Sequence, residues 1–300
     1  MAGLSVLIPV FNRDVSALVI ALRAQLLAWP GPAEVRLLDD GSAAAFRAHN
    51  QPLATLPGVV YHELPVNMGR AAIRNQLVAS AKHEWVLLLD NTSQVPDGQY
   101  LARYAAARGQ APVVAGGVHY AAQLPPAPAL RLRWLYGRQR ETRSLAQRRA
   151  APHVQLLVNN LLLRREILQR FPLDEHLRGY GHEDTKLGWQ LAAAAVPIHH
   201  LDNPVVHAGL DTAAHFLQKS EQAVINLARL LREDHLGISR RSRLAQTTQR
   251  LQRAGLAPAV RATLALSEPL LRRNLLSIRP SLRALDALKL FWLLREEARP

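Results

Sequence analysis

The chain has 300 residues, of which 49% are hydrophobic and none is cysteine. This length and apolar content can bury one large core or two modest ones, so disorder is not expected, and the lack of cysteine excludes disulfides, thiolate metal sites and a cysteine nucleophile. The formal net charge of +14 suits an anionic partner. Aromatic residues make up only 5% of the chain and no helix-turn-helix or zinc motif occurs, so we expect no specific nucleic-acid binding.

The first thirty residues predict a strand and a helix, and neither a signal peptide nor a membrane span. No basic segment precedes the run "LSVLIPV", and Pro9 and Asn12 close it after about seven residues. A helical pattern follows from about Val15 to Ala28. Arg23 interrupts this apolar stretch, which therefore falls short of the roughly 18 uninterrupted apolar residues of a spanning helix. We expect a cytoplasmic protein.

Predicted strands and helices alternate along the first hundred residues. The breaker "WPGP" ends the first helix, and the β-rich "AEVRLLDDGS" completes a β-α-β unit. The order repeats with "VVYHELP", a helix that opens near Asn67, and the buried-strand run "WVLLLD" at 85–90. This alternation predicts an α/β fold with a mostly parallel sheet and right-handed crossovers.

Acidic residues follow two of these predicted strands. Asp39 and Asp40 end one strand, and Asp90 ends another. Because ligands bind at the carboxyl ends of the strands in such sheets, we expect the three acids to face one crevice. Each of them can instead be a turn or helix-cap residue.

The second half of the chain has a different pattern. A basic helical segment runs from about Leu130 to Arg149, and "HVQLLVNNLLLRREIL" predicts a strand that passes into a helix. A loop then leads to a predicted helix from Thr185 to Ala195, and "VPIHHLDNPVVHAG" predicts two short strands around a turn. From Thr212 onward the pattern is almost entirely helical. Breaks are expected at Gly237, Gly255, Pro258, Pro269 and Pro280.

Two adjacent acids, Glu183 and Asp184, stand in "GYGHEDTKLGWQL" where this predicted helix starts. Acids in a first helical turn complement the positive end of the helix dipole, a contribution of about 0.3–1 kcal/mol. A helix start can also fix two carboxylates with different chemical roles. The pair alone does not decide between these interpretations.

Six segments together resemble the inverting family 2 glycosyltransferases, which have the GT-A fold. The similarity spans roughly residues 3 to 210, in the family's order. It implies a Rossmann-like, mostly parallel sheet flanked by helices, and transfer of a sugar from a nucleotide-sugar donor, UDP- or GDP-linked, to a glycan or lipid-linked acceptor. The matching segments are "LSVLIPVFNR", "VRLLDDGS", "NMGRAAIRN", "WVLLLDNTSQVP", "FPLDEHLRGYGHEDTKLGWQL" and "NPVVHAG".

The resemblance also implies roles on the acceptor side. It makes Asp184 the base that takes the proton of the attacking hydroxyl, and it makes Glu183 a residue that holds acceptor hydroxyls. Gly181 lets the backbone of the loop approach the sugar. His182 either binds the sugar or orients this loop.

On the donor side, the resemblance makes Asp39 the acceptor of a hydrogen bond from a uracil-type base, with Pro9 and Phe11 lining the same pocket. Arg70 or Arg74 is expected to reach the diphosphate, although Arg74 can also belong to an ordinary solvated helix face. Asp40 is a further donor-side candidate that could equally support the turn at Gly41-Ser42.

The predicted metal site departs from the family's pattern. The chain reads Asp90-Asn91-Thr92 where the family has the two acids of its "DxD" motif. Hard divalent cations prefer carboxylate oxygens, so the loss of the second acid predicts weak binding of Mn²⁺ or Mg²⁺ through Asp90 and His207. His207 can instead be a packing residue. The same loss leaves open an alternative, a non-catalytic GT-A module that binds a nucleotide or a glycan.

We expect a catalytic domain over residues 1–210 and a helical extension over 211–300. From His235 to Pro300 there are 13 Lys and Arg and 4 Asp and Glu, a net charge of 13 − 4 = +9. These arginines alternate with leucines at helical spacing, which fits a helical bundle with solvated arginines. It also fits peripheral attachment to an anionic membrane surface, on the inner face of the membrane.

Overall fold

The computed structural model describes residues 2–154, 156–177, 179–233, 237 and 242–298. The chain divides into two compact units. The first comprises Met1–Ala121, Glu141–His176 and Glu183–Gly209, and the second comprises Ala122–Arg140, Leu177–His182 and Leu210–Pro300. The domain limits given by the sequence, 1–210 and 211–300, stay a prediction.

Strands and helices alternate through most of the first unit, and helices make up the second. The strands are β1 (Leu4–Val10), β2 (Ala33–Asp39), β3 (Val59–Glu63), β4 (Trp85–Leu89), β5 (Ser93–Gln94), β6 (Val113–Ala115), β7 (Val118–His119), β8 (Asn160–Arg164), β9 (Ile198–His200) and β10 (Val205–His207). The helices are α1 (Ser16–Arg23), α2 (Ala44–Asn50), α3 (Arg70–Ser80), α4 (Tyr100–Ala107), α5 (Arg131–Tyr136), α6 (Leu145–Ala150), α7 (Arg165–Arg170), α8 (Glu183–Ala193), α9 (Ala213–Glu233), α10 (Arg243–Arg253), α11 (Ala257–Leu275) and α12 (Leu282–Glu297).

The first unit contains a seven-stranded sheet in the order β3-β2-β1-β4-β8-β6-β9. Strands β3, β2, β1 and β4 are parallel neighbours, whereas β8 runs antiparallel to both β4 and β6. The mostly parallel α/β sheet predicted from the sequence is therefore confirmed. The direction of β8 was not predicted, because a strand buried between two neighbours shows the same apolar run whichever way it points.

The central strands form because their side chains are apolar on both faces. Every residue of β4, "WVLLL", is buried, and so are six of the seven residues of β1. Ser5 is a polar exception inside β1, where its hydroxyl donates a hydrogen bond of 2.8 Å to Oε1 of Glu34. Burial of these strands places the core in the middle of the sheet and leaves the strand ends to carry polar groups.

The helix predicted from Thr185 to Ala195 is observed two residues earlier, as α8 (Glu183–Ala193), and two other predicted helices are longer than the observed ones. The helix expected from Val15 to Ala28 ends at Arg23, and a short 3₁₀ turn follows it. The basic segment expected as one helix from Leu130 to Arg149 is broken into α5, a π-helical turn and α6, which begins at a capping box formed by Ser144. A Ser side chain that satisfies backbone N–H groups starts a new helix, so periodicity alone overestimated the length.

The second unit is built from α5 and α9 to α12. Helix α12 contributes fully buried side chains to its core, among them Leu288, Trp292 and Leu293. The sequence predicted a helix break at Pro269, but this proline lies inside α11, which continues through it. It occupies an exposed position, and Ala265, whose carbonyl loses its helical partner, is exposed as well. Among the described residues, no helix is both long and apolar enough to cross a membrane.

Candidate active site

The candidate site starts at the carboxyl ends of β1, β2 and β4. Because these strands are parallel neighbours, their ends lie at one edge of the sheet. Asp39 is the last residue of β2, Phe11 directly follows β1 and Asp90 directly follows β4. The structure thus brings the strand-end residues predicted from the sequence to the same edge.

Asp39 organises the turn after β2. Its Oδ1 accepts a hydrogen bond of 2.7 Å from the backbone N–H of Ser42, and its Oδ2 accepts one of 3.2 Å from the hydroxyl of Tyr61. The residue is fully buried. The turn role considered for the strand-end acids is therefore real for Asp39, and its contact with a nucleobase stays a prediction.

Asp40 fixes a different segment, the loop that precedes α3. Its carboxylate accepts hydrogen bonds from the backbone N–H groups of Met68, at 2.7 Å, and Gly69, at 3.3 Å. Gly41 follows with a φ of +74°, and a Cβ atom there would lie 2.8 Å from the backbone nitrogen of Asn67. The Asp40 carboxylate therefore ties this loop to the end of β2, and the turn at Gly41-Ser42 is held by the side chain of Asp39 instead.

The loop after β1 is joined to the loop after β2. The backbone N–H of Asn12 donates to the hydroxyl of Ser42, and the Asn12 side chain accepts from the backbone N–H of Ala43, both over 2.8 Å. Phe11 is 47% exposed at this edge, whereas Pro9 lies within β1 and is partly buried. An exposed aromatic ring beside two tied loops is a suitable surface for a flat nucleobase.

A row of alternating charges connects Asp90 with Glu183. Arg74, whose side chain is only 3% exposed, forms a short ion pair with Oδ1 of Asp90. Arg70 lies with Nη2 3.8 Å from Oδ2 of Asp90 and donates from Nε to Oε1 of Glu183 over 2.9 Å. The burial of Arg74 excludes the solvated helix face that the sequence left open for it.

The two acids at the start of α8 have different electrostatic surroundings. Burial opposes ionisation of Glu183, but the charges of Arg70 and Arg74 outweigh it and hold the pKa of Glu183 below its ordinary value. Burial and the neighbouring Glu183 carboxylate raise the pKa of Asp184 to about 7, against the smaller opposing effect of Arg70. One carboxyl is thus kept ionised, while the other can exchange a proton near neutral pH.

Gly181 and His182 belong to the second unit, although they directly precede Glu183 in the chain. Gly181 has a φ of +98°, and a Cβ atom there would lie 2.6 Å from Cβ of Ala223 in α9. Asn226 of the same helix donates to the carbonyl of Gly181 over 3.1 Å. His182 has a φ of 74°, in the left-handed region that residues other than glycine seldom adopt. Packing on α9 explains this glycine, and the acceptor roles of both residues stay predictions.

The sequence between residues 5 and 171 matches the family model described as Glycosyl transferase family 2. The match covers more than half of the chain. The chain belongs to glycosyl transferase family 2. This confirms the resemblance seen in the sequence motifs, and it makes the protein a glycosyltransferase. No curated protein sequence matches the chain significantly.

Solved structures of glycosyltransferases are similar to this glycosyltransferase in fold. The mannosyltransferase PcManGT from Pyrobaculum calidifontis, in complex with GDP-Man and Mn²⁺, is 15% identical with a TM-score of 0.56, and the match covers 96% of this chain and 85% of that one. TarS 1-349 of S. aureus, in complex with UDP-GlcNAc, is 17% identical with a TM-score of 0.51, covering 98% and 90% of the two chains. Against a longer TarS chain the match covers 75% of this chain and 39% of that one. These similarities confirm the GT-A fold.

The residues expected to hold a divalent cation in this glycosyltransferase do not form a ligand set. Among the described residues, no group of three or more His, Cys, Asp or Glu side chains is arranged to bind a metal. The Nε2–H of His207 donates to the carbonyl of Gly209 over 2.8 Å, and the hydroxyl of Thr92 lies 3.2 Å from Nδ1. Both nitrogens of His207 are therefore engaged, and Asp90 faces guanidinium groups. Asp90 and His207 are therefore not arranged to bind Mn²⁺ or Mg²⁺, contrary to the metal site that the motif predicts.

Several residues that shape the site were missed from the sequence. Asn12 and Ser42 hold the donor-side loops and lie inside recognised motifs without having been given a role, and Tyr61, which contacts Asp39, lies in the predicted strand "VVYHELP". Asn160 was missed as well: its Oδ1 accepts from the hydroxyls of Tyr100 and Tyr104, both over 2.6 Å. The adjacent asparagines in "LLVNNLLL" were a usable signal, because a polar side chain inside an apolar strand requires a buried partner.

Proposed function

We propose that this glycosyltransferase moves one sugar from a UDP- or GDP-linked donor to a hydroxyl of a glycan or lipid-linked acceptor, with inversion at the anomeric carbon. The observation that carries the proposal is the pair of adjacent carboxyls in the first turn of α8, where Glu183 is bound by Arg70 over 2.9 Å and Asp184 stands directly beside it. A carboxyl whose pKa is about 7 is well matched to a general base at neutral pH. An ionised carboxylate beside it can accept hydrogen bonds from acceptor hydroxyls.

The proposed reaction is a single displacement. The acceptor oxygen forms a bond to the anomeric carbon from the face opposite the diphosphate, and the bond from that carbon to the diphosphate oxygen breaks. The bonding electrons leave with the nucleoside diphosphate, and the proton of the acceptor hydroxyl passes to the carboxylate of Asp184. One displacement inverts the configuration of the anomeric carbon, so inversion follows from the use of a base without a covalent intermediate.

Support for a nucleotide-sugar donor comes from the fold and the family together. Of the similar structures, PcManGT is in complex with GDP-Man and TarS with UDP-GlcNAc, so neither nucleotide is preferred by these similarities. Within this chain, exposed Phe11 and buried Asp39 lie at the strand ends where a nucleobase is expected.

The direct test is a panel of UDP- and GDP-linked sugars, measured first by thermal shift and then by release of the nucleoside diphosphate. A donor at a hundred times its Kd should stabilise the fold by about 2.7 kcal/mol. The donor that stabilises the fold most is then tested for turnover. The anomeric configuration of the product shows whether the transfer inverts or retains. If no nucleotide sugar stabilises the folded chain or is turned over, the proposal is wrong.

A second candidate function is a binding module that retains the donor pocket without catalysis. It is favoured by Thr92, which stands where the family's second metal-binding acid is expected. Turnover of a bound donor, with and without Mn²⁺, separates the two candidates, because a binding module is stabilised by the donor and releases no nucleoside diphosphate under either condition.

We further infer that the outer face of α11 rests on an anionic membrane. Leu266 is 85% exposed and Leu270 is 70% exposed, four residues apart on one face of the helix. Ala259, Ala262 and Pro269 are exposed as well. The groove between α11 and α12 extends this apolar surface, with Leu271 and Ala284 among its lining residues. An exposed apolar stripe on an amphipathic helix is typical of an interfacial contact.

The charges at both ends of α11 favour a lipid surface over a second copy of the chain. Arg253 is exposed before the helix, and Arg273, Arg279 and Arg283 are exposed near its end and beyond it. Two copies facing each other through this surface would bring these cations together, whereas anionic headgroups neutralise them. Such a contact would hold the enzyme in the cytoplasm at the inner membrane face, beside a lipid-linked acceptor.

A further inference from the structure

The place where the family's cation is expected contains two arginines of this chain. Arg74 is buried against Asp90, and Arg70 lies between Asp90 and Glu183. Two guanidinium groups together carry two positive charges, the same charge as one divalent cation. The predicted metal ligand Asp90 is therefore already balanced by protein cations before any ion is considered.

The exposure of the two arginines separates their roles. The side chain of Arg74 is 3% exposed, and its Nη1 also donates to the carbonyl of Arg70 over 2.9 Å. This contact ties the guanidinium of Arg74 to the first turn of α3. The side chain of Arg70 is 38% exposed, so it can meet an anionic ligand from solvent. Planar guanidinium groups recognise phosphate oxygens through paired hydrogen bonds.

The other two residues of the expected metal site, Thr92 and His207, pack against neighbouring protein groups. A Cβ atom at Gly209 would lie 2.4 Å from Cγ2 of Thr92, so the threonine fills the space beside this glycine. The ring of His207 packs against that of Tyr120, with ring centroids 5.0 Å apart. With Nε2–H donated to a carbonyl and Nδ1 facing a hydroxyl, His207 would have to break a hydrogen bond to ligate a cation.

We propose that Arg70 takes the place of the divalent cation: it binds the donor diphosphate, and donor binding by this glycosyltransferase does not require a metal ion. Arg74 positions Arg70 through the hydrogen bond to its carbonyl, and Asp90 does so through its contact with Nη2. Glu183 orients the guanidinium of Arg70 by accepting a hydrogen bond from Nε. This inference rests on the proposed function, because it presupposes a nucleotide-sugar donor. The sequence alone leaves open whether Arg70 or Arg74 meets the diphosphate, and the difference in exposure selects Arg70.

The test measures binding of UDP and GDP by titration calorimetry, with the chain held in EDTA or in Mn²⁺. In the wild type, the Kd of the preferred nucleotide should be equal within about twofold under the two conditions. Arg70→Ala should weaken binding in EDTA by about tenfold or more, since a charge-assisted contact to phosphate is lost. Arg70→Lys, which keeps a point charge without the planar fork, should lose less.

The matched control is Arg164→Ala. Arg164 is 42% exposed, forms an ion pair with Glu84, and pairs with Trp85 at the opposite, amino-terminal end of β4. This variant removes the same charge, and it should leave nucleotide binding unchanged. The double variant Arg70→Ala with Thr92→Asp restores an acid where the family has one, and it should bind nucleotide in Mn²⁺ but not in EDTA.

The outcomes distinguish this inference from the proposed function. If the wild type binds a nucleotide in Mn²⁺ and loses it in EDTA, the donor proposal stands and the role of Arg70 is wrong. Equal binding by Arg70→Ala and the wild type in EDTA overturns the inference in the same way. If neither UDP nor GDP binds the folded wild type under either condition, the proposed function fails and the inference fails with it.

Discussion

Arg70 and Glu183 are 113 residues apart in the sequence and are joined by a hydrogen bond of 2.9 Å from Nε to Oε1. The contact connects α3 with the first residue of α8. It also affects the neighbouring base, because Glu183 raises the pKa of Asp184 while Arg70 lowers it. Burial is the largest cause of the raised pKa of Asp184, and the charges of Glu183 and Arg70 adjust it in opposite directions and can be removed separately.

This arrangement predicts the pH dependence of the reaction. Asp184 must be deprotonated to act as a base, so kcat/KM should rise with pH and level off above a limb near pH 7. Glu183→Gln removes a negative charge and should move this limb to lower pH. Arg70→Ala removes a positive charge and should move it to higher pH. The measurement is release of nucleoside diphosphate across a pH series, and a limb that stays in place in both variants would contradict the assignment of the base.

The base itself is tested by Asp184→Asn. This variant cannot accept the acceptor proton, so kcat should fall by a factor of about 10²–10⁴ while the Kd of the donor stays unchanged. Asp97→Asn is the control, because Asp97 is an exposed aspartate of the same unit that pairs with Arg103. Turnover by Asp184→Asn near that of the control would remove Asp184 from the mechanism.

The same variant should be more stable than the wild type at alkaline pH. The pKa of Asp184 is raised in the folded chain, so stability is greatest below the unfolded pKa of about 3.9 and falls as pH rises through the folded value of about 7. Asp184→Asn removes this loss. Its melting temperature should exceed that of the wild type at pH 8, and the difference should shrink steadily toward pH 4. A constant difference across this range would show that the effect is not one of ionisation.

The sequence predicted the sheet and its strand-end acids because both follow from local pattern. Continuous apolar runs such as "WVLLL" are typical of strands buried on both faces, and an aspartate after such a run lies at the sheet edge whatever follows. The contact of Arg70 with Glu183 depends on how α3 and α8 pack, which periodicity does not report. The partners of Asp40 were missed for a related reason, since the backbone N–H groups of Met68 and Gly69 reach it only through the path of one loop.

Asp40 should therefore behave as a structural residue. Asp40→Ala leaves two backbone N–H groups without their acceptor, and it should lower the free energy of unfolding by about 1–3 kcal/mol. Asp40→Asn keeps one acceptor oxygen and should lose less. Denaturant unfolding measures both variants, and an unchanged midpoint for Asp40→Ala, combined with lost donor binding, would instead assign the carboxylate to the donor.

The outer face of α11 gives the last prediction. The double variant Leu266→Ser with Leu270→Ser keeps every charge and removes two exposed apolar side chains, so it should weaken co-sedimentation of the full chain with anionic vesicles. Arg273→Gln with Arg279→Gln keeps the leucines and should remove about 1 kcal/mol for each charge that lies near the lipid, an effect that is lost at high salt.

Leu27→Ser is the matched control for the leucine variants, because Leu27 is 99% exposed and lies in the first unit. It should sediment with vesicles as the wild type does. Neutral vesicles should retain little of any variant, since one apolar stripe without attraction to anionic lipid gives weak binding. If the wild type ignores anionic vesicles at low salt, or if the leucine variants bind as strongly as the control, then α11 does not contact the membrane and its exposed face needs a protein partner.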